Sequence, residues 1–287
     1  KLKLATASAT AAARLLPDDD RLLRPKLVKM LDEHAGSLAP TPKSPIGQSR
    51  PLERFLLAFQ ISELESRVPG KVTAHPSAEA FPGAVPADAR RVSREVDVDT
   101  SIPEWHSTGL YAVPGEHISV DLPTDSADLK LLVRIGCHKD QLWHLNQWRR
   151  APDITIERPL VGGRTRIASA FGGPVYIVVP GKAAARRVSV KFTGAVEAPM
   201  FVLGETSLAD WKSTIRMYPA PWAELVTDKV ILSVPSDSIR GLDDPEELLQ
   251  LWNRVLDAAA DLAAIPRERR RPERYVPDEQ ISAGYMH

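Results

Sequence analysis

The chain of 287 residues is 43% hydrophobic and 26% charged, which suits a sizeable buried core and two or three units of ordinary domain size and excludes fibrous and disordered classes. Lysine plus arginine number 37 and aspartate plus glutamate number 37, so the formal net charge is zero and no global field draws in nucleic acid or an anionic membrane. The single cysteine, Cys137, excludes an intramolecular disulfide, and no stretch approaches the roughly 20 apolar residues that span a bilayer.

Residues 1–13 lack the continuous apolar core of a signal peptide, and the first residue is Lys1 rather than a methionine. From Leu15 to Glu65 apolar residues recur at helical spacing, as in Leu22, Leu23, Leu27, Met30 and Leu31, then Leu52, Phe55, Leu56, Phe59 and Leu64. Two or three helices are expected there, with the proline-rich "APTPKSPIGQSRP" as a loop between them. A second proline-rich passage, residues 68–89, reads as a linker, so residues 1–92 form a helical segment that ends in a linker.

The period then falls to two. "REVDVD", "HISVDL", "KLLVRIG", "DITIER", "RTRIAS", "PVYIVVP" and "RRVSVKF" are short, β-branched runs separated by turn residues, the pattern of an antiparallel sandwich over residues 93–204. Ile118, Val120, Val133, Ile135, Ile177 and Val179 are expected in its core. From Ser207 the pattern becomes mixed α/β over residues 205–287: a short helix capped by Ser207, a buried strand "DKVILSV", then a helix started by Asp244, Pro245 and Glu247. Leu248, Leu249, Trp252, Val255, Leu256, Ala259 and Leu262 are expected on the apolar face of that helix. The fold class is therefore α+β.

Chemistry-bearing patterns are sparse. No His-Glu-x-x-His is present, and the suggestive cluster Cys137, His138, Asp140 and His144 loses its appeal because neighbours on a strand point to opposite faces. A buried thiol beside a surface or turn histidine is the simpler reading, and no metal ligand is assigned. "FGGPVYIVVP" leads into a strand rather than a helix, so it is a tight turn and not a phosphate cradle. No Gly-x-Ser-x-Gly elbow occurs. "PRERRRPER" reads as a solvated connection. Trp143 and Trp148 are the best placed of the tryptophans for sugar stacking, whereas Trp252 is more simply core.

Several segments, in order, resemble the peptidase unit of the enhancin-like zinc metallopeptidases, peptidase family M60. They are residues 107–123, "VRIGCHKDQLWHLNQWRRAPDITIERPL" at 133–160, 171–180, "APMFVLG" at 198–204, 219–237 and the terminal "QISAGYMH". The resemblance covers roughly residues 95–287 and leaves the helical segment outside. It implies a sandwich followed by the beginning of a zincin-like α/β catalytic subdomain, a zinc cofactor in the full-length parent, and secreted or cell-surface action on glycoproteins, especially mucin-type O-glycosylated chains. In the family pattern the His-Glu-x-x-His helix lies beyond the Gly-Tyr-Met-His run, so the sequence reads as cut at both ends, without catalytic or zinc residues and inactive alone. Residues 281–287 are expected to form an edge strand, with Tyr285 or His287 bordering the substrate cleft; alternatively, Tyr285 and Met286 pack the catalytic helix against the sheet. Two other readings stand beside the peptidase one: a noncatalytic relative, and a carbohydrate-binding sandwich displaying Trp143 and Trp148.

Overall fold

The computed structural model describes residue 16 and residues 19–283. Helix α1 (Arg24–His34) begins where the Asp20 carboxylate accepts hydrogen bonds from the amides of Leu22, Leu23 and Arg24, and α2 (Pro51–Ser66) begins with proline in its first turn. Between them the short β1 (Ile46–Gly47) pairs with a distant two-residue strand, β6 (Gln147–Trp148), in an antiparallel bridge. The helices bury Leu27, Leu56, Leu57, Phe59, Ile61 and Leu64 in one cluster with Leu142, Trp148, Ile154 and Phe171. The helical unit and the outer surface of the sandwich therefore share a core.

The proline-rich passage is wedged in place, which corrects its reading as a linker: Val72, His75, Ser77, Ala78 and Pro82 are buried. The main-chain amide of His75 donates to Ala170 O at 2.8 Å. Gly115 shows how close the approach is. Its φ is +77°, and a Cβ placed there would lie 2.3 Å from the amide nitrogen of Ala74.

The sandwich comprises β2 (Val92–Asp99), β3 (Glu104–Ala112), β4 (His117–Leu122), β5 (Leu132–Ile135), β7 (Ile156–Pro159), β8 (Gly163–Ala168), β9 (Gly173–Val179) and β10 (Arg187–Glu197). Every pairing among them is antiparallel. One layer carries β2, β10, β4 and β8, and the other carries β3, β9, β5 and β7. Strand β10 belongs to both, because its Val188–Val190 stretch pairs β2 while Val196 and Glu197 pair β3. It turns the corner at Gly194, whose φ of +98° accompanies a register shift between Thr193 and Ala195. Ile118, Val120, Val133, Ile135, Ile177 and Val179 all lie in the core between the layers.

A second, mixed sheet follows, ordered β11 (Met200–Val202), β12 (Trp222–Val226), β13 (Val230–Pro235) and β14 (Glu273–Tyr275). Helix α3 (Leu208–Ser213) is capped by the Ser207 hydroxyl, which accepts from the Asp210 amide at 3.0 Å. Helix α4 (Pro245–Leu262) is capped by the Asp244 carboxylate, which accepts from the amides of Glu246 and Glu247. Only part of its expected apolar face is buried: Leu249, Leu256 and Ala260 pack inward, Leu248 and Trp252 are half-buried, and Val255, Ala259 and Leu262 are exposed. The seam against the sheet follows a single 3.6-residue stripe, narrower than the apolar content of the helix. Among the described residues no helix is long and apolar enough to cross a membrane.

Because only a residue without a Cβ fits beside Ala74, Gly115→Ala should push the 68–89 passage off the sandwich while leaving the sandwich core folded. Limited proteolysis should then cut within that passage in the variant and spare it in the wild type. Equal resistance in both would contradict the packing.

Candidate functional site: a cleft between the sandwich and the second sheet

Strand β14 and the segment after it run beside the exposed end of the β3–β9–β5–β7 layer, and the two enclose a cleft of about 1150 Å³. That is large enough for a peptide segment or a small molecule. All residues from 271 to 276 line it, opposite Glu104, Trp105, His106, Ser107 and Arg134. Glu104 at its lip has a φ of +74°, unusual for a residue with a side chain.

Beneath the cleft lies a buried charge network. Arg274 of β14 pairs with Glu224 of β12, and its guanidinium donates to Ser233 Oγ at 3.1 Å and Ser107 Oγ at 3.0 Å. The same Glu224 carboxylate accepts from Tyr176 Oη at 2.9 Å and Ser233 Oγ at 2.7 Å. Tyr176 lies 4.8 Å from the Arg274 guanidinium, and Trp105 stacks against Tyr176 at 5.4 Å. Burial, reinforced by the Glu224 charge, holds the Tyr176 phenol far above its ordinary range, so it stays a donor. Arg134 stacks 3.8 Å over Trp105 and donates to Gly136 O at 2.9 Å and to the Glu157 carboxylate.

The sequence-stated cluster is packed rather than poised. Burial pushes the Cys137 thiol well up, and its sulfur lies 3.5 Å from Nδ1 of His138. His138 is itself buried, which corrects its reading as a surface or turn histidine. Its ring sits edge-on between Phe81 at 4.6 Å and Trp222 at 4.4 Å, with Nε2 donating to Pro277 O at 3.2 Å. Burial lowers it to about 4 against the pull of Asp278. His75, likewise buried, is lowered to about 4 and is held by Gln60 and Ser77. His144 is exposed, and its Nε2 donates to Ser282 O at 2.9 Å, while Asp140 accepts the Ser282 amide at 2.6 Å.

Of the two tryptophans proposed for sugar stacking, Trp148 is structural. Trp148 is fully buried, donates to Leu142 O at 2.8 Å and carries the Arg54 guanidinium 3.7 Å above its ring, while half-buried Trp143 packs against its edge. Trp148 therefore offers no open face for a sugar. The arginine-rich passage is not wholly solvated either, since Arg274 is its last arginine. Among the described residues the second sheet ends on β14 at one edge and on β11 at the other, whereas residues 281–283 form no strand. Tyr285, Met286 and His287 lie outside the described residues.

The N-terminal domain of M60-like peptidases matches residues 87–193, and the family described as Peptidase M60, enhancin and enhancin-like matches residues 194–287. This chain belongs to the enhancin-like M60 family. The TRPM8 channel-associated factor homolog of Xenopus laevis is 42% identical over 195 residues, 67% of this chain and 22% of that protein. TRPM8 channel-associated factor 2 of Homo sapiens is 43% identical over 183 residues, 64% of this chain and 20% of that protein. IMPa from Pseudomonas aeruginosa, solved in complex with an O-glycopeptide, is 20% identical, covering 92% of this chain and 36% of that one with a TM-score of 0.49. The chain thus spans about a fifth of the length of the curated relatives it matches.

The M60 family implies zinc, and the described residues do not fit it. No group of three or more His, Cys, Asp or Glu among them is disposed to hold a metal ion. The imidazoles of His138 and His144 are committed to backbone carbonyls, and Cys137 is a buried protonated thiol. What sequence reasoning missed was the charge network. Its signal was a lone charge inside an apolar run, Glu224 in "WAELV" and Arg134 in "LLVRIG", because a charge on a buried strand requires a partner.

The depressed histidines predict a pH response. With folded values near 4 against 6.5 for an unperturbed imidazole, each contributes stability that is complete above 6.5 and lost as pH falls toward 4, where the unfolded chain binds protons the fold refuses. NMR titration of the imidazole resonances should find His75 and His138 neutral at about pH 5.5. Protonation of His138 at its ordinary value would contradict the packing between Phe81 and Trp222.

Proposed function

We propose that this chain is the front part of an enhancin-like unit and that its cleft receives an extended segment of another protein along the outer edge of β14. What supports the reading is that β14 pairs only with β13 among the described residues, which leaves backbone groups on its other side for an added strand. The Glu273 amide is already spent on Lys229 O at 2.8 Å, so by alternation the free groups of the edge are those of Arg274. The chain's own contribution is grip. Cys137 and His138 are buried in their neutral forms, and the carboxylate of Glu224 is consumed by Arg274, Tyr176 and Ser233.

In the longer parent, the held segment is a glycoprotein chain of the mucin type, met outside the cell or at its surface. Bond cleavage there falls to zinc-bearing residues beyond those described. The match of residues 194–287 to the M60 peptidases supports this reading. A second reading is favoured by the relatives at 42% and 43% identity whose names make them channel-associated factors: a noncatalytic parent whose cleft grips part of a membrane channel.

Binding of an O-glycosylated, serine- and threonine-rich peptide to this chain, compared by calorimetry with the same peptide N-methylated at alternate amides, tests the cleft. Strand addition predicts at least about a tenfold loss on methylation, because side chains and glycans are kept while the ladder is broken. Equal binding of the two would overturn it. With the parent protein, cleavage of the peptide that disappears on zinc removal supports the peptidase reading, and binding without cleavage supports the channel-associated one.

A further inference from the structure

We propose that the N-terminal helical unit, which lies outside both family matches, sets the position of one wall of the cleft through the loop at residues 138–150. This rests on the reading of the cleft as a binding site. The wall is the strap that follows β14, residues 277–282, whose Asp278 and Ile281 line the cleft beside His138, Lys139 and Asp140.

Strap and loop are joined at six points. Arg150 makes a two-pronged bond to the Asp278 carboxylate, 2.6 Å on each prong, and both side chains are almost wholly buried. His138 and His144 donate to the carbonyls of Pro277 and Ser282, and Asp140 accepts the Ser282 amide. Gln280 accepts from the Arg149 amide at 2.8 Å and donates to Gln147 O at 2.9 Å. Among the described residues, every hydrogen bond that leaves the strap ends on this loop. The strap's position is therefore the loop's position.

The middle of the loop takes its shape from the helical unit, while its ends are tied to the sandwich side, Leu142 N donating to Pro152 O at 3.0 Å and Thr155 Oγ1 to His138 O at 2.9 Å. Between Asp140 and Arg150 it contains only the two-residue β6, so its carbonyls need partners from elsewhere. Arg54 of α2 supplies them, donating to the carbonyls of Trp143 at 3.2 Å, Leu145 at 3.0 Å and Asn146 at 3.4 Å while its guanidinium covers Trp148. Gln48 adds a main-chain bond of 3.0 Å and a side-chain bond of 2.6 Å to Asn146. Arg54 is thus a positioning residue: one guanidinium on a helix holds three carbonyls of a loop that in turn holds the strap.

Hydrogen exchange of the whole chain, read by mass spectrometry, tests the linkage. Arg54→Met removes the donors and keeps most of the apolar stem, and it should speed exchange in residues 277–282 by about tenfold or more without changing β4 or β9. Arg54→Lys, which keeps the charge and fewer donors, should give an intermediate increase, and it carries the test should Arg54→Met not fold. Val190→Ala weakens the sandwich core, a cluster that contains no residue of the loop, and should leave the strap as in the wild type. Strap exchange within about twofold of wild type in both Arg54 variants, or equal opening in Val190→Ala, would overturn the proposal. Because exchange is read without a peptide, its outcome stands apart from whether the cleft binds one.

Discussion

A carboxylate in the middle of a buried strand is the constraint around which this molecule is arranged. Glu224 sits in β12 between Ala223 and Leu225, both buried, where a carboxylate needs hydrogen-bonding and charged partners. Its partners come from three directions: Ser233 from the next strand, Arg274 from the edge strand and Tyr176 from the sandwich. Arg274 then reaches Ser107 in β3. One carboxylate thereby ties the sandwich to the second sheet, and an apolar seam of Tyr111, Val196, Ala198, Ala220 and Trp222 packs with its partner Tyr176.

The function proposed for the chain follows from where that joint lies. Strand β14 makes a short parallel pairing with β13, three residues in register, which is little on its own. Arg274 supplies what the backbone does not, fixing β14 against the sandwich so that the cleft has two rigid walls. Beyond Tyr275 the chain turns back across the sandwich, and the buried Arg150 and Asp278 pair fixes it a second time. The cleft is thus bounded by elements held by charge at two points and is open along a strand edge between them.

Much of this architecture is legible in the sequence. Alternating β-branched runs locate seven strands of the sandwich, and Ser207 and Asp244 mark helix starts through their side-chain oxygens. Strand β3 escapes the pattern because its register against β9 shifts between Ser107 and Tyr111, which breaks the alternation. The proline-rich passage misleads for another reason. Proline disfavours the interior of helices and strands, yet says nothing about burial, and here His75 and Ala78 are packed against the sandwich. The charge network is illegible in its pairing, since Glu224 and Arg274 are 50 residues apart and only the fold brings them together. Trp143 and Trp148 show the same limit from the other side, because a tryptophan in a loop reads as exposed until a distant arginine is seen to cover it.

The joint between Glu224 and Arg274 is the centre of this account, and a double-mutant cycle on it is the most direct measurement. Urea unfolding of Arg274→Met, Glu224→Gln and the double variant, with β14 and the sandwich followed separately by hydrogen exchange, gives the coupling. The account predicts that Arg274→Met alone costs about 3–5 kcal/mol because it strands a buried carboxylate, and that the double variant recovers well over about 1 kcal/mol of the summed loss. Single losses below about 1 kcal/mol that simply add, with β14 protected in every variant, would contradict it.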